Sequence, residues 1–200
     1  PQALVSAGGF VAVPAAYAAW LLRIPVFIHQ QDVLPGLANR LMAPIAKVIT
    51  VVFQRSVEDY GARAYWIGNP FKKVANNFEA VRAEVFAKFG LDAARPLLFV
   101  TGGGTGSLFL NSIIAATISD LLIYCQVIHI TGYNRGEGDV AAYSGYQPFR
   151  FLDHNDILRI MMAADLVVSR CGLGTLSELA YLRKPSILVP MPDSHQEEYA

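Results

Sequence analysis

Along the chain, short uninterrupted apolar runs alternate with longer stretches of helical spacing. Runs at 3–6, 26–29, 48–53 and 64–67 predict strands with helices between them. They lack a strict polar and apolar alternation, the expectation for a parallel sheet covered by helices on both faces. Gly68-Asn69-Pro70 marks a turn, and a polar helix is predicted over about 78–89. Beyond it the pattern restarts with a strand at 97–101, a glycine loop, a helix over 108–118, a strand at 126–130 and a glycine-rich connection around 132–138. Strands at 149–152 and 166–169, joined by a helix over 157–164, precede a helix over 174–182 and a last strand at 186–189. The pattern predicts two α/β units, residues 1–69 and 70–200, and right-handed crossovers make each a doubly wound sheet.

Composition narrows the picture. With 54% hydrophobic and 16% charged residues the chain has ample material for a core, which excludes disorder. Sixteen Lys and Arg balance sixteen Asp and Glu, so no net field draws the chain to nucleic acid, and that partner class is set aside. Cys125 and Cys171 have neither metal-ligand spacing nor disulfide-scaffold density, and buried free thiols are expected. The uncharged stretch 3–22 has the roughly 20 residues a membrane span needs. Gly8-Gly9 and Pro14 instead divide it into a strand, a turn and a helix.

Candidate chemistry lies in the loops that follow strands, where open α/β sheets bind ligands. Thr101-Gly102-Gly103-Gly104-Thr105-Gly106-Ser107 links a strand to a helix, so glycine backbone and helix N–H groups can approach phosphate. It is neither a Walker A loop nor a full G-x-G-x-x-G, which argues against ATP hydrolysis; a ligand-free tight turn is the alternative. Ser169-Arg170-Cys171-Gly172-Leu173-Gly174-Thr175-Leu176-Ser177-Glu178 repeats the arrangement. Its turn at 172–175 can take further oxygens, and Glu178, expected one turn inside the helix, can accept from both ribose hydroxyls or simply be a first-turn acid. In the polar loop 190–198, His195 has no partner at ligand spacing, and Gln196 carries the donor and acceptors needed to read sugar hydroxyls. His29 reads more readily as a structural histidine than as a ligand. Lys72 and Lys73 face a diphosphate or solvent.

Together these stretches resemble the glycosyltransferase family 28 N-acetylglucosaminyltransferases of peptidoglycan synthesis. The likeness is carried by Gly8-Gly9-Phe10 with Pro14, His29-Gln30-Gln31-Asp32 with Gly36-Leu37-Ala38-Asn39, Gly68-Asn69-Pro70, the glycine loop ending in Leu110-Asn111, the 169–178 segment and His195-Gln196. The resemblance implies a GT-B fold of two Rossmann-like domains, with an incomplete N-terminal, acceptor-side domain in 1–69 and a UDP-sugar-binding domain, truncated at its end, in 70–200. It implies inverting, metal-independent transfer without a cofactor from UDP-N-acetylglucosamine to a lipid-linked muramoyl-peptide, at the cytoplasmic face of the membrane by peripheral association. Gly104, Thr105, Gly106 and Ser107 would then cradle the diphosphate, Leu152 would sit by the uracil, and Glu178 would bind the ribose. Arg170 and Gly172 would join the donor site, with Leu173, Gly174, Thr175 and Leu176 along the diphosphate and sugar. His195 and Gln196 would read the sugar hydroxyls, Asp32 would close on the donor, and Lys72 would replace a family arginine near the phosphates.

Two departures stand out: the family has His-Glu-Gln-Asn at 29–32 and Asn-Ala at 199–200. The family's amino-terminal glycine loop, with the histidine thought to serve acceptor and base, would lie upstream of Pro1, so these 200 residues alone are expected to catalyse nothing. The rival readings are another GT-B lipid glycosyltransferase, a non-catalytic nucleotide-sugar-binding subunit, and a Rossmann dehydrogenase. The last needs an acidic residue after the second strand, and Asp120 is expected on a helix end instead.

Overall fold

The computed structural model describes residues 1–70, 77–133 and 143–191. They divide into two compact units, 1–70 and 77–191. The first holds a parallel sheet in the order β1-β2-β3-β4, built from β1 (Leu4–Ser6), β2 (Val26–Gln30), β3 (Val48–Val51) and β4 (Ala64–Trp66). Helices α1 (Ala12–Leu21) and α2 (Leu37–Met42) make the first two crossovers, and short 3-10 turns carry the chain from β3 to β4. The core gathers Ala16, Val26, Ile28, Met42, Ile49 and Val51 between sheet and helices. The stretch at 3–22 is thus a three-residue strand, a turn and a ten-residue helix. Among the described residues no helix is long and apolar enough to cross a membrane.

The second unit opens with α3 (Phe78–Phe89), which Asn77 starts by accepting from the Ala80 N–H at 3.1 Å and Gly90 ends at φ +60°. There follow β5 (Leu97–Thr101), α4 (Leu108–Tyr124), β6 (Gln126–Ile130), β7 (Tyr146–Phe149), α5 (His154–Ala163), β8 (Leu166–Arg170), α6 (Leu173–Leu182) and β9 (Ser186–Val189). The sheet is parallel throughout, in the order β7-β6-β5-β8-β9. The period of two along β5 divides its side chains between two cores. Leu97 and Phe99 pack with α3, α5 and α6, while Leu98 and Val100 pack with Ile114 and Ile118 of α4. Each fully buried side chain of this size contributes about 1.5–3 kcal/mol, which accounts for strands apolar on both faces.

Several elements differ in extent from their sequence expectation, among them α5, which starts at His154 rather than at 157. The strand expected at 149–152 is β7, at Tyr146–Phe149. Pro148 lies within β7, a sheet edge, where a residue without an N–H is tolerated. Helix α4 runs past the predicted stop at Ile118 to Tyr124, because Leu121 and Leu122 still pack on the core beyond the polar Ser119-Asp120 step. Strand β3 ends at Val51 rather than Phe53, where the chain curls into a 3-10 turn.

Candidate functional site

The order β7-β6-β5-β8-β9 places a topological switch point between β5 and β8, where the chain leaves adjacent strands in opposite directions. The crevice outside the carboxyl ends of those two strands is where such sheets bind ligands. The loop after β5 and the loop after β8 are the two glycine segments singled out above.

In the first loop, Thr101 Oγ1 accepts from the Gly103 N–H at 3.2 Å, and the Gly106 N–H donates to the Gly103 carbonyl at 3.1 Å. Gly103 and Gly106 stand at φ +78° and +76°, the left-handed region that glycine enters freely. Gly106 is also sterically required. A Cβ there would fall 2.7 Å from Gly132 Cα and closer still to the Thr131 carbonyl oxygen. Gly132, at φ +85°, meets the same limit from the other side, with Gly106 Cα 2.6 Å from its own ideal Cβ. The loop after β5 and the loop after β6 therefore touch backbone to backbone, and the Asn111 amide of α4 donates to the Thr131 carbonyl at 3.0 Å across the same junction.

Gly104 and Thr105 are exposed at the tip of the loop, while Gly106 and Ser107 are buried. Ser107 caps α4: its Oγ accepts from the Leu110 N–H at 3.3 Å and from Arg170 Nε at 3.1 Å. With both acceptor positions used, its hydroxyl proton is left to donate. Arg170, the last residue of β8, also donates to the Pro190 carbonyl at 2.9 Å and lies 5.5 Å from the centre of the Phe109 ring. One guanidinium thus braces the phosphate-type loop, the end of β8 and the end of β9.

Helix α6 begins at Gly172, which offers no side-chain cap, and its first internal bond is Leu176 N–H to the Gly172 carbonyl at 3.0 Å. Among the described residues, no acceptor meets the N–H groups of Leu173, Gly174 and Thr175 at the positive end of the helix. Two helix starts with uncommitted N–H groups, one on each side of the switch point, suit a diphosphate.

Glu178 is the sixth residue of α6, in the second turn, so the first-turn-acid alternative does not hold. Its side chain is 13% exposed, and burial pushes its carboxyl above the ordinary range while the nearby His154 pulls it back. His154 Nε2 lies 3.5 Å from Glu178 Oε1. His154 follows β7 and heads α5, and the sequence reading missed it, since nothing local links it to a glutamate 24 positions on. Leu152, also in the β7–α5 connection, is half-buried against the core below. Beside it the exposed rings of Tyr133 and Phe151 stack at 6.0 Å.

In the first unit, Asp32 is exposed just beyond β2, and its carbonyl accepts from Gln30 Nε2 at 2.9 Å. Gln30 is wholly buried. Its amide also donates to the Leu34 carbonyl at 3.0 Å, and its oxygen accepts from Tyr60 Oη at 3.1 Å and from the Asn39 amide. The neutral amide donates to two carbonyls here, which a carboxylate cannot do. Burial and the neighbouring Asp59 push the Tyr60 hydroxyl up to about 12. His29 is structural in its surroundings: Nδ1 meets Thr50 Oγ1 at 2.9 Å, and burial lowers its pKa. Lys72, His195 and Gln196 lie outside the described residues. Among the described residues no group of three His, Cys, Asp or Glu gathers to hold a metal ion.

Comparison with known proteins matches residues 97–200 to the glycosyltransferase family 28 C-terminal domain and residues 1–51 to the glycosyltransferase family 28 N-terminal domain. The chain is 35% identical over 192 residues to the UDP-N-acetylglucosamine--N-acetylmuramyl-(pentapeptide) pyrophosphoryl-undecaprenol N-acetylglucosamine transferase of Clostridium kluyveri, covering 96% of this chain and 54% of that protein. The crystal structure of Acinetobacter baumannii MurG superposes with a TM-score of 0.71 at 27% identity, over 98% of this chain and 54% of that one. The UDP-GlcNAc 2-epimerase of Neisseria meningitidis, solved with UDP-GlcNAc bound, shares the fold at a TM-score of 0.67 and 12% identity, over 94% of this chain and 58% of that one. The chain spans about half the length of the curated relatives it matches.

Proposed function

The chain belongs to glycosyltransferase family 28, and from that premise we propose that the protein transfers N-acetylglucosamine from UDP-N-acetylglucosamine to undecaprenyl-diphospho-muramoyl-pentapeptide in peptidoglycan synthesis. The observation that carries the reading is the switch point of the second unit. There, two helix starts and the braced Ser107 face the crevice, with the half-buried carboxylate of Glu178 on α6.

In this reading the diphosphate of the donor lies on the N–H groups of the 104–107 loop and of Leu173, Gly174 and Thr175, with the Ser107 hydroxyl donating to one oxygen. Glu178 accepts from the ribose hydroxyls and Leu152 borders the uracil. An acceptor hydroxyl, giving up its proton to a general base, attacks the anomeric carbon from the face opposite the diphosphate. The bond from that carbon to the phosphate oxygen breaks as the new glycosidic bond forms, and UDP leaves with the electron pair. Charge grows on the leaving diphosphate, and fixed backbone dipoles stabilise it without reorganising, the kind of term that is commonly the largest in such sites. Arg170 acts mainly by holding Ser107 and the end of β9 in place. Residues 1–69 and 70–200 serve as the acceptor-side and donor-side domains of the GT-B fold.

A lipid-linked acceptor brings the protein to a membrane surface. Phe10, Val11, Trp20, Leu21 and Leu22, on α1 and its flanks, are all more than half exposed, which supports peripheral docking at the cytoplasmic face through this helix. The reaction is tested by incubating full-length protein with labelled UDP-N-acetylglucosamine and the lipid-linked acceptor. Label moving to the lipid fraction supports the proposal. Label moving only from UDP-glucose would identify a different lipid glycosyltransferase.

A further inference from the structure

Among the described residues, Glu178 carries more acceptor capacity than is used. A carboxylate offers about four lone-pair positions, and among the described residues only His154 approaches it, at 3.5 Å from Oε1. A half-buried carboxylate in this state is costly unless a ligand completes it. His154 has little packing reason to be there, since its side chain is 58% exposed. Its place is nevertheless fixed. Asp153 caps α5 by accepting from the Asn155 and Asp156 N–H groups at 2.8 and 3.1 Å, which locks the first residue of the helix. On the other side, Ser177 Oγ donates to the Leu173 carbonyl at 2.8 Å, within the same helical turn as Glu178. The imidazole thus joins the connection that carries Leu152 to the helix that carries Glu178.

We propose that His154 is a positioning residue that holds the Glu178 carboxylate in the orientation that accepts both hydroxyls of a ribonucleoside diphosphate, and so sets the site's preference for ribose over 2′-deoxyribose. The inference rests on reading Glu178 as the ribose-binding carboxylate. With Oε1 drawn toward the imidazole at 3.5 Å, Oε2 and the remaining Oε1 lone pair are left to accept from two donors. Two acceptors at the spacing of one carboxylate match a vicinal diol. Without the tether the carboxylate turns about its last bond, the paired geometry is lost, and a 2′-deoxy nucleotide is penalised less.

The test is calorimetric titration of the full-length protein with UDP and with 2′-deoxy-UDP, in the wild type and in His154→Ala, His154→Gln and Glu178→Ala variants. The wild type is expected to prefer UDP by about tenfold, the scale of one hydrogen bond to a charged group. His154→Ala is expected to reduce that preference to about threefold or less, and His154→Gln, whose amide can donate to the same oxygen, to restore most of it. Glu178→Ala is expected to abolish it. A preference unchanged in His154→Ala, or equal weakening of both nucleotides, would overturn the role of His154. A preference unchanged in Glu178→Ala would overturn the ribose reading itself, so the two failures are separable.

Discussion

Replacing Gly106 by alanine tests the backbone junction on which the phosphate-type loop stands. At φ +76° an L-residue costs about 1–2 kcal/mol relative to glycine. The added Cβ would also stand 2.7 Å from Gly132 Cα and nearer to the Thr131 carbonyl oxygen, both backbone atoms unable to swing aside. Forcing such a contact costs about 1–3 kcal/mol more, for a sum of about 2–5 kcal/mol against a typical stability of about 5–15. Gly103→Ala is the matched control: it has φ +78° and nothing within 4 Å of the new carbon, so only the backbone cost applies. Both tryptophans of the chain, Trp20 and Trp66, lie in the first unit, so fluorescence does not report on this loop. Hydrogen exchange at the β5 and β6 amides does, and UDP titration reads the same loop functionally. Gly106→Ala is expected to lower β5 and β6 protection well beyond Gly103→Ala and to weaken UDP binding. Equal effects from the two variants would refute the claim that the glycine-to-glycine contact sets the loop.

Further outcomes follow from the same contacts. Arg170→Lys keeps the charge but loses the planar fork that reaches Ser107 and Pro190 together; it is expected to weaken UDP binding while leaving urea unfolding nearly unchanged. Gln30→Leu strips partners from two carbonyls, Asn39 and Tyr60 inside the first unit, and is expected to destabilise it by about 2–4 kcal/mol in urea melts. His129, buried on β6 with Nδ1 2.9 Å from Tyr146 Oη, has its pKa lowered to about 4 by burial. The unfolded state therefore binds the extra proton first. The stabilisation is complete above pH 6.5 and is lost as pH falls from there to about 4, an effect of about 3 kcal/mol. Melts of the His129→Phe variant across that window are expected to show a shallower acid slope than the wild type.

Most of the fold can be read from the chain because its signals are local. The all-buried runs of β5 and β6, the Asn77 and Gly90 ends of α3, and the glycines between strand and helix each act within a few residues. The elements displaced in the structure depend on position in the sheet. Pro148 fits in β7 because that strand is a sheet edge, and α4 runs past Ser119-Asp120 because Leu121 and Leu122 still pack on the core. The same distinction governs the site. Both glycine loops were legible, whereas the Gly106–Gly132 contact, the Arg170 brace on Ser107 and the approach of His154 to Glu178 join residues 24 to 63 positions apart. Spacing along the chain carries no trace of them.

The most direct measurement is calorimetric titration of the full-length protein, and of its Glu178→Ala variant, with UDP-N-acetylglucosamine, UDP-glucose and NAD. Preferential binding of UDP-N-acetylglucosamine, weakened at least tenfold by the substitution, is the predicted result. Binding of NAD in preference, or of none of the three, would contradict the assignment of the β5–β8 crevice as a UDP-N-acetylglucosamine site.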